Sequence, residues 1–163
     1  MLQDGTHSIE RSEFVTSRVL AALYTELFDQ KVDVAGTLLK PNMVLSGYEA
    51  SKRAGIDEVA EVSLHAYYKH VPAAVPGIVF LSGGQSDEDA TAHLNAMNAR
   101  GPHPWQLSFS YGRALQTPSL NAWAGKPENV EAGQRAFYHR AKMNSAAQTG
   151  TYAPEMEREA VAA

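Results

Sequence analysis

A chain of 163 residues, 44% of them hydrophobic and 20% charged, has enough apolar material for one domain with a packed core. It is too short for a complete eight-stranded barrel of roughly 250 residues. Fourteen lysines and arginines against 18 aspartates and glutamates leave a formal charge of −4, which offers no basic footprint to nucleic acid. The absence of cysteine excludes disulfides, thiolate nucleophiles and cysteine-ligated metals. With neither a signal-like start nor about 18 consecutive apolar residues, the sequence predicts a cytoplasmic protein with no membrane partner.

From Ser8 to about Asp29, the helical spacing of Phe14, Val15, Val19, Leu23 and Leu27 predicts an amphipathic helix with those residues on its core face. Gly36-Thr37-Leu38-Leu39-Lys40 predicts a short buried strand, ended by Pro41, with a lysine at its carboxyl end. A second helix is expected from about Ile56 to Tyr68, with Asp57 and Glu58 in its first turn. The next strand is Gly77 to Ser82, followed by Gly83-Gly84. Ser86, with Asp89 three residues on, resembles a capping box that starts a helix to about Asn98. Leu107 to Tyr111 forms a third strand before Gly112. A short helix around Arg113 to Trp123, broken near Pro118, and a longer one from Pro127 to about Gln148 complete the pattern. Residues 1–150 thus form the folded unit, and 151–163 are expected to be a flexible tail without a core face.

Strands separated by helices of this length are parallel with right-handed crossovers, which makes the chain α/β with about three parallel strands. In such folds chemistry gathers at the carboxyl ends of the strands. Here those ends carry Lys40, then Ser82-Gly83-Gly84, then Ser110-Tyr111-Gly112-Arg113. Glycine exposes unhindered amide donors, a helix N-terminus adds positive potential, and an arginine fork matches phosphate oxygens. The two glycine loops therefore suggest a phosphate cradle; the plain alternative is that the glycines only relieve tight turns and Arg113 is solvated. A lysine ending an apolar strand either snorkels to solvent or is partly desolvated, and desolvation favours the neutral amine that attacks a ketone to form an imine.

Gly36-Thr37-Leu38-Leu39-Lys40-Pro41-Asn42-Met43, Phe80-Leu81-Ser82-Gly83-Gly84-Gln85-Ser86 and Phe109-Ser110-Tyr111-Gly112-Arg113-Ala114-Leu115 together resemble the carboxyl-terminal half of class I fructose-bisphosphate aldolases, a likeness running from about Leu2 to Tyr152. The resemblance implies part of a TIM (β/α)8 barrel and a glycolytic lyase. That enzyme would cleave fructose 1,6-bisphosphate to dihydroxyacetone phosphate and glyceraldehyde 3-phosphate through a Schiff base on Lys40. It implies no metal and no cofactor, a phosphorylated sugar as ligand, and a phosphate site made by Ser82, Gly83, Gly84, Gly112 and Arg113, lined in part by Ser110. The family's catalytic carboxylates belong to a strand just before the segment that matches Leu2-Gln3-Asp4-Gly5, and its terminal tyrosine has no counterpart at Ala162-Ala163. The alternative function is therefore a catalytically impaired fragment that binds phosphate, assembles with copies of itself, or pairs with a complementary barrel half through open strand edges.

The six histidines show no ligand-like pairing and are expected at the surface or in capping roles. Trp105 and Trp123 are expected to pack around the last strand. Glu155, Glu157 and Glu159 read as a solvated end, and Tyr152 has no anchoring neighbours that would make it a substitute for the family's terminal tyrosine.

Overall fold

Ser8 starts the first helix: its side chain accepts the Arg11 N–H at 3.3 Å, and α1 spans Ile9–Asp29. The computed structural model describes residues 3–158. Within them follow β1 (Leu38–Leu39), α2 (Ile56–His70), β2 (Gly77–Phe80), α3 (Asp87–Asn98), β3 (Gln106–Phe109), α4 (Arg113–Trp123) and α5 (Val130–Gln148). The strands form one parallel sheet in the order β1-β2-β3, with Leu38 opposite Gly77 and Ile78 opposite both Leu39 and Leu107. The chain is α/β, an arc of a TIM barrel with helices outside it, as the sequence predicts. Ser86 Oγ accepts the Asp89 N–H at 3.0 Å, so the expected cap of α3 is present.

The core lies between the sheet and its helices. Ile78, Phe80, Leu107, Tyr67, Val59, Leu94, Met97 and Met143 are buried together, and the Tyr67 and Phe80 rings tilt against each other at 5.5 Å. Trp105 is buried as expected and donates its indole N–H to the Pro72 carbonyl at 2.9 Å. Trp123, by contrast, stays 41% exposed.

Two expectations about burial fail. Leu38 is 62% exposed and Lys40 is exposed, so β1 is not a buried strand. Likewise Phe14 (52% exposed) and Val19 (60%) do not enter the core; Ile9, Ser12 and Leu20 are the buried residues of α1. Among the described residues β1 pairs only with β2, and its other edge is open. The side of α1 bearing Val15, Val19 and Leu23 faces the groove along that edge, where no further strand covers it.

α4 is not broken at Pro118 but runs through it. Proline there sacrifices one intrahelical bond, and packing on α5 holds the helix. Ser119 Oγ donates to the Gly133 carbonyl at 2.7 Å, and Gly133 has no side chain to hold the two helices apart.

The expected tail splits at the limit of the described residues, with 159–163, including Glu159, beyond it. Tyr152 is buried, its N–H bonds Asn95 Oδ1 at 2.9 Å, and Pro154–Arg158 form a 3-10 turn. Glu157 is not a solvated carboxylate: it accepts from Arg140 Nη1 at 2.5 Å, His139 Nε2 at 3.0 Å and Tyr152 Oη at 3.0 Å. Burial raises the Glu157 pKa, but the hydrogen bonds from Arg140 and His139 and the Arg140 charge prevail and hold it below the usual carboxylate range.

Candidate active site

Backbone bonds carry the sheet's registration past the strands and set the three strand ends side by side. The Leu81 N–H donates to the Pro41 carbonyl at 3.1 Å, and the Ser110 N–H to the Phe80 carbonyl at 2.8 Å. Lys40, Ser82 and Ser110 therefore lie on neighbouring parallel segments at the carboxyl edge, the chemically useful end of this architecture.

At the middle strand the chain turns through Gly83 (φ +60°) and Gly84 (φ +87°), conformations that glycine adopts without penalty. Ser82 is buried, and its carbonyl accepts both the Gln85 N–H at 3.0 Å and the Gln85 side-chain amide at 2.9 Å. Gln85 Oε1 in turn lies 2.6 Å from His93 Nδ1. His93, expected at the surface, is only 7% exposed on α3, and burial lowers its pKa to about 4, so the imidazole is neutral near pH 7. With the Gln85 amide nitrogen committed to Ser82, this network assigns the His93 proton to Nδ1.

The third strand end comes to the same place. A Cβ built on Gly84 would lie 3.3 Å from Arg113 Nη2, so the guanidinium at the start of α4 sits directly against the second glycine. Gly112 caps that helix with nothing near the position of a Cβ, which leaves its backbone open to a ligand. A cleft of about 430 Å³ adjoins this point, lined by Gln85, Ser86, Arg113 and Thr117. No hydrogen bond among the described residues uses the Gly83 or Gly84 N–H. Two glycine amides without a partner among the described residues and one arginine beside them are the donor types that anion sites use.

Lys40 lies one segment away. It lines a different groove, of about 210 Å³, with Gln3, Asn42, Leu39 and the Val19 and Leu23 face of α1. The side chain is exposed, with no ion pair among the described residues. Asn42, in the lining of the Lys40 groove, also approaches the glycine loop: its amide nitrogen would be 3.5 Å from a Cβ on Gly83. A further cavity of about 480 Å³, between α4 and α5, is lined by Trp123, Val130 and Phe137 and by no titratable group. No cluster of metal-ligating side chains occurs among the described residues.

Sequence reasoning missed Gln85, His93 and Tyr48. Gln85 adjoins the glycine pair and was open to inspection as a loop residue. His93 sits at the spacing of the buried Ala90, Leu94 and Met97, a signal that it faces inward. Tyr48 donates its hydroxyl to the Gly83 carbonyl at 2.9 Å across 35 positions, and nothing local announces that contact.

A three-stranded parallel arc with glycines, an arginine and a lysine at its strand ends is part of a β/α barrel. Comparison with known proteins narrows the class. The family model for class-I fructose-bisphosphate aldolase matches residues 1–163. Fructose-bisphosphate aldolase 4, cytosolic, of Arabidopsis thaliana is 53% identical over 153 residues, covering 93% of this chain and 39% of that protein. Fructose-bisphosphate aldolase B of Ovis aries is also 53% identical, with 42% of its length covered. Among solved structures, the Plasmodium falciparum fructose-bisphosphate aldolase, crystallised with TRAP and a small-molecule inhibitor, superposes with a TM-score of 0.92 at 48% identity, covering 93% of this chain and 44% of that one. The chain belongs to the class I fructose-bisphosphate aldolases and spans about two fifths of the length of these relatives.

Proposed function

We propose that this chain carries the imine-forming and phosphate-binding portion of a cytoplasmic class I aldolase acting on fructose 1,6-bisphosphate. The observation that carries the reading is the meeting of Gly84 and Arg113 at adjacent strand ends, one segment from Lys40. The neutral Lys40 amine adds to the ketose C2 carbonyl, water leaves, and the imine takes up a proton from solvent. As the C3–C4 bond breaks, its electron pair passes into the iminium to form an enamine, and the C4 hydroxyl loses its proton. Glyceraldehyde 3-phosphate departs. Protonation at C3 and hydrolysis then return dihydroxyacetone phosphate and the free amine. Gly83, Gly84, Gly112 and Arg113 hold the C1 phosphate, with Ser82 and Ser110 beside it. The imine is the electron sink, so no metal enters these steps.

Borohydride reduction of the chain in the presence of dihydroxyacetone phosphate tests this directly. Mass spectrometry should find a reduced adduct on Lys40 that Lys40→Ala lacks. An unmodified Lys40 in a folded sample would refute the imine assignment.

One observation favours a second reading, in which the chain is an assembly module. The open edge of β1, with Leu38 62% exposed beside the uncovered Val19 of α1, is a surface on which another strand can pair. Light scattering that finds only monomer at high concentration would eliminate self-assembly.

A further inference from the structure

We infer that Tyr48 is a positioning residue of the phosphate site, fixing the direction in which the Gly84 amide points. The inference rests on the phosphate reading above and assigns to that site a residue from outside the two glycine loops.

In a trans peptide the carbonyl and the following N–H point in opposite directions. A donor that holds one therefore aims the other. The Ser82 carbonyl is held by Gln85, which aims the Gly83 N–H; the Gly83 carbonyl is held by Tyr48 Oη at 2.9 Å, which aims the Gly84 N–H. Both glycines lie at positive φ, in a region where glycine backbones wander easily, so these two bonds restrain a loop that has no side chains to do so.

Tyr48 itself stands on a fixed base. Its N–H donates to the Gln3 carbonyl at 2.9 Å, the Gly47 N–H to the His7 carbonyl at 2.8 Å and the Glu49 N–H to the Gly5 carbonyl at 2.9 Å. A Cβ at Gly47 would fall 2.2 Å from the Gly5 carbonyl oxygen, so the two segments are in backbone contact and cannot slide. On the ring, the Arg53 guanidinium lies 5.4 Å from the centroid, a cation–π contact. The hydroxyl then reaches the loop where Arg113 reaches it: a Cβ on Gly84 would be 3.4 Å from Tyr48 Oη and 3.3 Å from Arg113 Nη2. Burial raises the phenol pKa, which keeps the hydroxyl a donor at neutral pH.

Amide NMR of the 163-residue chain, titrated with inorganic phosphate, tests the assignment. In the unaltered chain the Gly84 and Gly112 resonances should move saturably. Tyr48→Phe keeps the ring and removes only the donor. It should raise the phosphate Kd between about threefold and tenfold, the equivalent of one lost hydrogen bond. It should also speed hydrogen exchange at residues 83–85 alone. Arg53→Gln, which leaves the hydroxyl and frees the ring, should raise Kd by about twofold.

Gly133→Ala, on α5 and outside the lining of the cleft beside Arg113, serves as the control that lowers stability without changing Kd. Phosphate that moves neither Gly84 nor Gly112 in the unaltered chain would remove the phosphate site, and this inference with it. A normal response with the same Kd in Tyr48→Phe would overturn the role of Tyr48 and leave the site standing. A rise in Kd matched by faster exchange throughout the sheet would assign Tyr48 to general stability and overturn positioning.

Discussion

Acidification should destabilise this protein well above the range in which its carboxylates titrate, and His93 is the reason. Its imidazole is 7% exposed beneath the glycine loop, and burial lowers its pKa from 6.5 to about 4. The unfolded chain thus takes up a proton that the folded one refuses. The neutral imidazole's contribution is complete above pH 6.5 and drains away as pH falls toward 4. At 1.36 kcal/mol per unit, the loss is about 1.4 kcal/mol by pH 5.5 and about 2.5 kcal/mol by pH 4.5, a large part of a typical domain's stability. Urea unfolding at intervals from pH 7.5 to 4.5 measures this slope. His93→Gln, which supplies a neutral amide and no titration, should flatten it. An equal slope in both proteins, or an imidazole NMR titration of His93 centred near 6.5, would refute the argument.

Gly84→Ala should cost about 1–2 kcal/mol in chemical denaturation and weaken phosphate binding, because the residue sits at φ +87° with Arg113 and Tyr48 against the new methyl. Gly133→Ala should lower Tm, although alanine normally improves a helix by about 1 kcal/mol; its Cβ would lie 2.9 Å from Trp123 Cβ, and a rise in Tm would contradict the close α4–α5 approach. Glu157→Leu should cost about 3 kcal/mol, since it leaves the buried Arg140 without its closest carboxylate. Because the Glu157 pKa is depressed in the fold, its contribution is present above the ordinary value of 4.5 and lost below it. Acid melting curves of Glu157→Gln and the parent should therefore converge at low pH.

The parts of the fold legible in sequence are those whose cause is local. Gly77–Phe80 reads as a strand because all its neighbours leave it buried, and Ser86 reads as a cap because the donor it satisfies is three residues away. β1 misleads because burial of Leu38 depends on what lies across an edge, which no window of sequence contains. The site divides in the same way. Glycine and arginine after parallel strands announce the cradle. Its supports are harder to read: the inward spacing of His93 shows that it is buried but not that it meets Gln85, and Tyr48 reaches Gly83 across 35 positions with no local signal at all. The tail was misjudged because Glu157 and Arg140 find each other across 17 positions and a change of direction.

The two halves of the proposed chemistry therefore differ in what they ask of their surroundings. The cradle draws its supports from Tyr48, Gln85 and His93, and all three are neutral donors. They shape the loop without competing with Arg113 for the anion or placing a second buried charge beneath it. The groups assigned to the phosphate in the proposed reading, Gly83, Gly84, Gly112 and Arg113, all lie within the described residues. Lys40 stands at the open edge of the sheet, exposed to water. The dry setting in which an amine condenses readily with a ketone requires a cover over that edge. Hence phosphate should give a saturable response in this chain, while imine trapping at Lys40 should rise when a further strand covers the β1 edge.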